Sequence, residues 1–265
     1  MRRFHLIELE DQPWFPAVIR DGGTDFLGFV FNTFNLYKPA STLIEDVLSR
    51  TGYNEVLDLC SGNGGPLESV SKLVDEARVE LANSTPVKFI LSDKFPNVEA
   101  YKSIKQRTDS RITYIDGPVD ILKDNSDLRG LRTMFSAVHH FHPKQVRAII
   151  SKITESGMPL AFFDGGSKSW SMVLLILIVH PIMFLLFTPF IRPFKWSRLL
   201  FTYLIPIIPL YTIWDGIVSI LRLHTPEQLS ELAYAADKEQ KYDWKHGTAK
   251  GIFGVSIAYL IGVPK

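Results

Sequence analysis

Between residues 55 and 166, short apolar runs alternate with stretches of helical periodicity, and no other feature limits the fold so strongly. Val56-Leu57-Asp58-Leu59, VKFILSD (87–93), RITYIDG (111–117), LRTMFSAVHH (131–140) and PLAFFDGG (159–166) read as buried strands. Helices are expected over 39–51, where Leu43, Ile44, Val47 and Leu48 share a face, over 66–83, with Pro66 in the first turn, and over 143–156. Strands alternating with helices imply a mainly parallel sheet covered on both faces. TPEQLSELAYAADKEQ, with Thr225 as N-cap, predicts a further helix, and KYDWKHG and GVSIAYLIGVPK supply two last strands.

Composition narrows the function classes. A net charge of +1 gives no electrostatic case for nucleic acid as a partner. One cysteine, Cys60, excludes an intramolecular disulfide framework and a multi-cysteine zinc site, and a reduced, intracellular setting fits it. Acidic residues arrive by Glu8, so no signal-peptide core forms in MRRFHLIELEDQPWFP and secretion is not expected.

The stretch EVLDLCSGNGGPLESV (55–70) carries a strand into a glycine turn and then a helix, an arrangement that lets backbone approach a ligand closely. A dinucleotide fingerprint starting at Gly62 needs glycine at 67, where Leu67 stands; a P-loop needs a lysine that the turn lacks. Leu57-Asp58-Leu59-Cys60-Ser61-Gly62-Asn63-Gly64 instead resembles motif I of the class I S-adenosylmethionine-dependent methyltransferases. The resemblance covers roughly residues 50–166 and implies a Rossmann-like α/β fold with a mainly parallel seven-stranded sheet, helices on both faces, and S-adenosyl-L-methionine as cofactor. It implies that Asp58 organises the turn and helps hold the cofactor amino group, and that Ser61, Gly62, Asn63 and Gly64 make room for its methionine part. Cys60 stands where the family often has glycine or alanine. Asp93, ending the second strand, would accept the ribose hydroxyls; Lys94 and Phe95 would flank the adenine; and Asp116 with Gly117 would touch its edge. Ser136 lies at the cofactor-facing rim after the fourth strand. Taken singly, each acid is equally readable as a turn cap or as an ordinary residue leaving a strand. The 35 residues from Asp58 to Asp93 require an extended connection.

Methyl transfer needs an aligned acceptor, exclusion of water and, for some acceptors, removal of a proton. FSAVHHFHP offers His139 and His140 as bases, either of which is equally readable as a structural histidine. No metal is expected, because adjacent strand residues point to opposite faces. The Asn/Asp-Pro-Pro-aromatic tetrapeptide of the family's nucleobase enzymes is absent, which counts against base methylation. In the N-terminal segment, Trp14, Phe15, Phe26, Phe29 and Tyr37 are candidates to line an apolar pocket, with Arg20 as a charged anchor.

After Gly166 the texture changes. Trp170 to Ile191 is 22 residues without a formal charge, and Leu199 to Leu221 is broken only by Asp215. Between them RPFKWSR carries three cations. Three placements follow: a monotopic structure dipping into the cytoplasmic leaflet, a two-span hairpin with the basic loop opposite the catalytic domain, or a soluble cover or dimer surface. Prolines at 181, 189, 193, 206 and 209 and the positive-inside tendency favour the first. Asp215 is costly in such a run unless paired or functional, and is expected to meet Arg20, Arg222 or the substrate. The chain divides into an N-terminal helical cap (1–50), a cofactor-binding core (51–168), an apolar helical insertion after the fifth strand (169–222) and a C-terminal helix with the last strands (223–265). The function expected is methyl transfer to an apolar small molecule or lipid at the cytoplasmic face of a membrane. The alternatives are a protein or peptide methyltransferase docked to a membrane partner, a non-catalytic cofactor-binding scaffold, and a soluble cytoplasmic protein.

Overall fold

In the computed structural model, which describes residues 3–80, 85–123 and 129–265, seven strands form one sheet in the order β3-β2-β1-β4-β5-β7-β6. These are β1 (Glu55–Leu59), β2 (Lys88–Ser92), β3 (Ile112–Tyr114), β4 (Leu131–Phe135), β5 (Leu160–Gly165), β6 (Tyr242–Lys250) and β7 (Ser256–Pro264). The pairs from β3 to β5 are parallel, and β7 enters antiparallel between β5 and β6. The order reverses beside β1, so the crevice beyond the carboxyl ends of β1 and β4 is a topological switch point.

The central strands β1, β4 and β5 are buried on both faces, as their apolar runs require. On one face Val56, Phe89, Leu91 and Phe163 pack against α2 (Lys38–Thr51), α3 (Leu67–Glu80) and α4 (Val98–Arg107). On the other, Leu57, Leu59, Met134 and Phe162 pack against α5 (Pro143–Glu155) and α9 (Pro226–Ala236). The expected end of α3 at residue 83 lies outside the described residues. β4 is shorter than its sequence suggested: Ser136 takes φ +49, and Val138–His140 turns as a 3-10 helix.

The insertion does not stand away from this core. Its first helix, α6 (Trp170–Phe187), runs with Thr188–Phe190 over a length and apolarity sufficient to cross a membrane. It packs against the last helix of the insertion and touches α1 (Ala17–Thr33) toward its C-terminal end, with Phe184 stacked on Phe26 at 3.6 Å between centroids and Phe187 beside Phe29 and Phe34. The chain then passes through α7 (Trp196–Leu199) and Leu200–Leu204, bends by 79°, and returns as α8 (Ile207–Arg222). Gly22 and Gly23 let α8 approach α1: a Cβ at either would strike Ile208 or Tyr211. The basic loop is seated on the core, because Lys195 and Arg198 reach Asp25 at 3.1 and 3.4 Å and Lys195 also reaches Glu99 at 3.5 Å. A two-span hairpin with this loop opposite the catalytic domain is therefore not the arrangement adopted; burying the arginine against Asp25 keeps the loop on the core side. The outer surface of α6 remains exposed at Leu174, Leu175, Ile178, Ile182, Leu185 and Leu186.

Candidate active site

A cavity of about 350 Å³ opens at the switch point. Its floor is the glycine turn. Cys60, Gly62 and Gly65 take φ of +60, +56 and +50, the left-handed region that costs a residue with a Cβ roughly 1–2 kcal/mol, so Cys60 holds a glycine-like conformation. The Asp58 carboxylate fixes the turn by accepting from Ser61 Oγ at 2.7 Å and, across to β4, from Thr133 Oγ1 at 2.8 Å. Burial pushes the Asp58 carboxyl up to about 7. Asn32 of α1 clamps the turn from above, donating to Gly65 O at 2.7 Å and accepting from Ser69 N at 2.8 Å. Asp93 accepts from Gly62 N at 2.8 Å and Phe95 N at 2.7 Å, so each of its oxygens keeps a lone pair for a further donor.

Of the residues singled out in the sequence, Arg20, Cys60, Ser61, Gly62, Asn63, Asp93, Lys94, Phe95, Ser136 and His140 line this cavity. Six do not, each for a local reason. Asp58 lies behind the turn at 1% exposure with both oxygens engaged, so it organises the turn without reaching the cavity. Gly64, at φ +113, faces Ile104 and serves packing. Asp116 and Gly117 lie beyond the end of β3, where Asp116 is exposed, and Leu122 reaches the wall instead. His139 is turned inward, its Nδ1 3.0 Å from Asp164 Oδ1 on β5. Asp215 meets neither Arg20 nor Arg222; it accepts from Leu9 N at 2.8 Å and Glu10 N at 3.0 Å. Arg20 stacks over the Phe95 ring at 4.4 Å, and its donors hold the Glu10, Gln12 and Phe15 carbonyls.

The aromatic candidates are also placed elsewhere. Phe15 and Phe26 are buried against the insertion, Phe29 packs beside Phe187 and Trp14 is exposed. Tyr37 is bonded to Ser136 Oγ and to Gly165 N beneath the cavity. Phe31 is the aromatic residue of α1 that reaches the cavity, together with Arg20, Thr24, Leu27 and Gly28. Their spacing, 20-24-27-28-31, is one helical face, a signal that the sequence carried.

The largest omission is an acidic strap. Residues 8–11 cross the cavity mouth, and Glu10 and Asp11 line it. His140 Nδ1 lies 2.7 Å from Glu8 Oε2 and 2.8 Å from Asp11 Oδ1, while Nε2 is 3.6 Å from Glu10. Arg222, at the end of α8, closes the group at 3.0 Å from Glu8 and 2.9 Å from Asp11. Burial opposes charge on His140, but Glu8 and Asp11 outweigh it and hold its pKa well above the ordinary value. Burial pushes Glu10 up to about 8, with Glu8, Asp215 and Asp11 adding to the rise against His140. The strap and α8 are more than 200 residues apart in sequence, so no local motif announced the cluster. The ground for expecting no metal also fails: the histidines follow β4 in a 3-10 turn, and their rings lie 4.4 Å apart at 30°.

No protein-family model and no curated protein matches the chain. Solved structures do. Plantazolicin methyltransferase BpumL in complex with SAH matches with a TM-score of 0.52 at 13% identity, over 93% of this chain and 95% of that one. Human N-acetylserotonin methyltransferase in complex with SAM gives 0.50 at 14% identity, over 100% of this chain and 63% of that one. An O-methyltransferase family protein from Burkholderia thailandensis gives 0.47 at 14% identity, over 89% of this chain and 59% of that one. The chain thus spans less than two thirds of the latter two proteins. Strand order, the single antiparallel insertion of β7, the glycine turn after β1 and the first two matches agree: the chain has the fold of the class I S-adenosylmethionine-dependent methyltransferases.

Proposed function

We propose that this chain is an S-adenosylmethionine-dependent methyltransferase acting on an apolar small molecule or lipid at the cytoplasmic face of a membrane. The observation that carries the reading is a cavity floored by the glycine turn and Asp93 whose acidic roof is tied to an insertion with an apolar outer surface. The turn at Ser61, Gly62 and Asn63 has the close backbone approach that the methionine part needs. The lone pairs left on Asp93 suit two ribose hydroxyls, and the Phe95 ring beside Lys94 suits an adenine face. When bound, the cofactor supplies an activated methyl group for in-line displacement. The chain's own residues exclude water with the strap and orient the acceptor against Phe31, Phe135 and Phe141. His140 rather than His139 reaches the cavity, and because Glu8 and Asp11 hold its imidazole charged it suits donating a hydrogen bond to the acceptor, not taking its proton.

The membrane part rests on the outer surface of α6 and its continuation through Trp196, Leu204 and Leu210, which are 63–78% exposed. So much apolar surface on one side suits an in-plane, monotopic contact, with α6 still packed on α8. Purified protein incubated with labelled S-adenosylmethionine and a membrane lipid extract should yield a labelled lipid-phase product. A labelled polypeptide and no labelled lipid would support the protein or peptide alternative. Cofactor binding with no transfer to either would support the scaffold.

A further inference from the structure

We propose that Glu8, His139 and His140 form a binding site for a divalent transition-metal ion at the wall of the cavity. Among the described residues, these three each bring a ligand atom within 4.8 Å of the others, close enough that a small side-chain adjustment sets all three on one ion. Glu8 comes from the strap and the two histidines from the turn after β4, so the site exists only when the strap is closed over the core. Two imidazoles and a carboxylate suit zinc, manganese or iron better than calcium or magnesium, which prefer all-oxygen shells.

Two further observations point to an ion. First, His139 Nδ1 is held at 3.0 Å by Asp164 Oδ1, a carboxylate that is 1% exposed. This is the outer-shell arrangement that fixes the tautomer of a metal-binding histidine and leaves its other nitrogen to the metal. Second, Glu8 is fully buried with its Oε2 2.7 Å from His140 Nδ1, so its carboxylate is already placed beside that ring. Glu8, Asp11 and Asp164 gather here with Arg3, Arg222 and the charged His140, whose proton a bound ion would replace. On the methyltransferase reading, an ion at this wall would polarise an acceptor oxygen; the site itself does not depend on that reading.

The test uses full-length protein stripped with EDTA and desalted, then titrated with ZnCl2 or MnCl2 by calorimetry, with the bound metal counted after desalting. One ion per chain is expected. Glu8→Gln and His139→Ala should lose at least about 100-fold in affinity, and Asp164→Asn, which keeps the side-chain volume, about 10- to 100-fold. With CoCl2, the visible d–d bands should appear in the wild type and shift in Asp164→Asn. Failure of the wild type to retain either ion stoichiometrically, or unaltered affinity in both His139→Ala and Asp164→Asn, overturns the proposal. S-adenosylhomocysteine affinity on the same stripped samples reports folding and tests the cofactor reading separately.

Discussion

Replacing Asp25 by alanine tests the placement of the insertion. Asp25 is 1% exposed within α1 and meets Lys195 Nζ at 3.1 Å, Asn97 Nδ2 at 3.1 Å and Arg198 NH1 at 3.4 Å. In Asp25→Ala, Lys195 retains the exposed Glu99 at 3.5 Å. Arg198 has no such outlet: it is itself 1% exposed, and its NH2 already donates to the Pro193 carbonyl. A buried guanidinium left without its counter-charge costs about 3–5 kcal/mol. Removing that charge as well, in Asp25→Ala with Arg198→Met, should recover much of the loss, giving a coupling of about 2 kcal/mol in a double-mutant cycle. Urea denaturation followed by tryptophan fluorescence measures all four corners, and Trp196 lies two residues from Arg198. Should Asp25→Ala cost less than about 1 kcal/mol, or the pair add within about 0.5 kcal/mol, the loop is not seated on the core and the in-plane insertion is wrong.

Asp58→Asn bears on pH dependence. The native Asp58 pKa, raised by burial to about 7, lies above its unfolded value, so this group favours the folded state at low pH and loses that contribution as pH rises from about 4 to 7. Wild-type stability should fall relative to Asp58→Asn across that window by up to about 1.4 kcal/mol per pH unit; parallel pH profiles would refute the assignment. Asp93→Ala should weaken S-adenosylhomocysteine binding by at least about tenfold, the loss of roughly one charge-assisted hydrogen bond, and an unchanged calorimetric Kd would displace the ribose from Asp93. Ile178→Glu with Ile182→Glu, at sites 53% and 52% exposed, should abolish flotation with lipid vesicles while altering the urea midpoint little; retained flotation would move the membrane contact off α6.

How much was legible depended on the range of the forces involved. The strands and the glycine turn were visible because periodicity and backbone conformation are local: Val56 and Leu57 had to be buried on opposite faces, and Gly62 had to occupy the left-handed region. Asp93 was visible because the crossover topology puts strand ends at the ligand crevice. Asp116 misled because an edge strand of three residues does not carry its following acid to the cavity. Phe26 and Phe29 misled because the residue type does not say which face of α1 looks inward; the 20-24-27-28-31 spacing does.

By itself the sequence determined a parallel, doubly covered sheet with a glycine turn after its first strand, and an apolar insertion after its fifth. Each follows from side-chain periodicity and from the few backbone angles that residues with a Cβ avoid. Tertiary structure alone decided the roof of the site. Glu8, Glu10 and Asp11 look like ordinary solvated acids until Asp215 accepts from the Leu9 and Glu10 N–H groups and Arg222 and His140 reach Glu8 and Asp11. The basic loop looks like a water-facing turn until Asp25 draws Arg198 into the core. Electrostatic pairing in a buried setting depends on distances of a few ångströms between segments remote in sequence, and only the folded chain sets those distances.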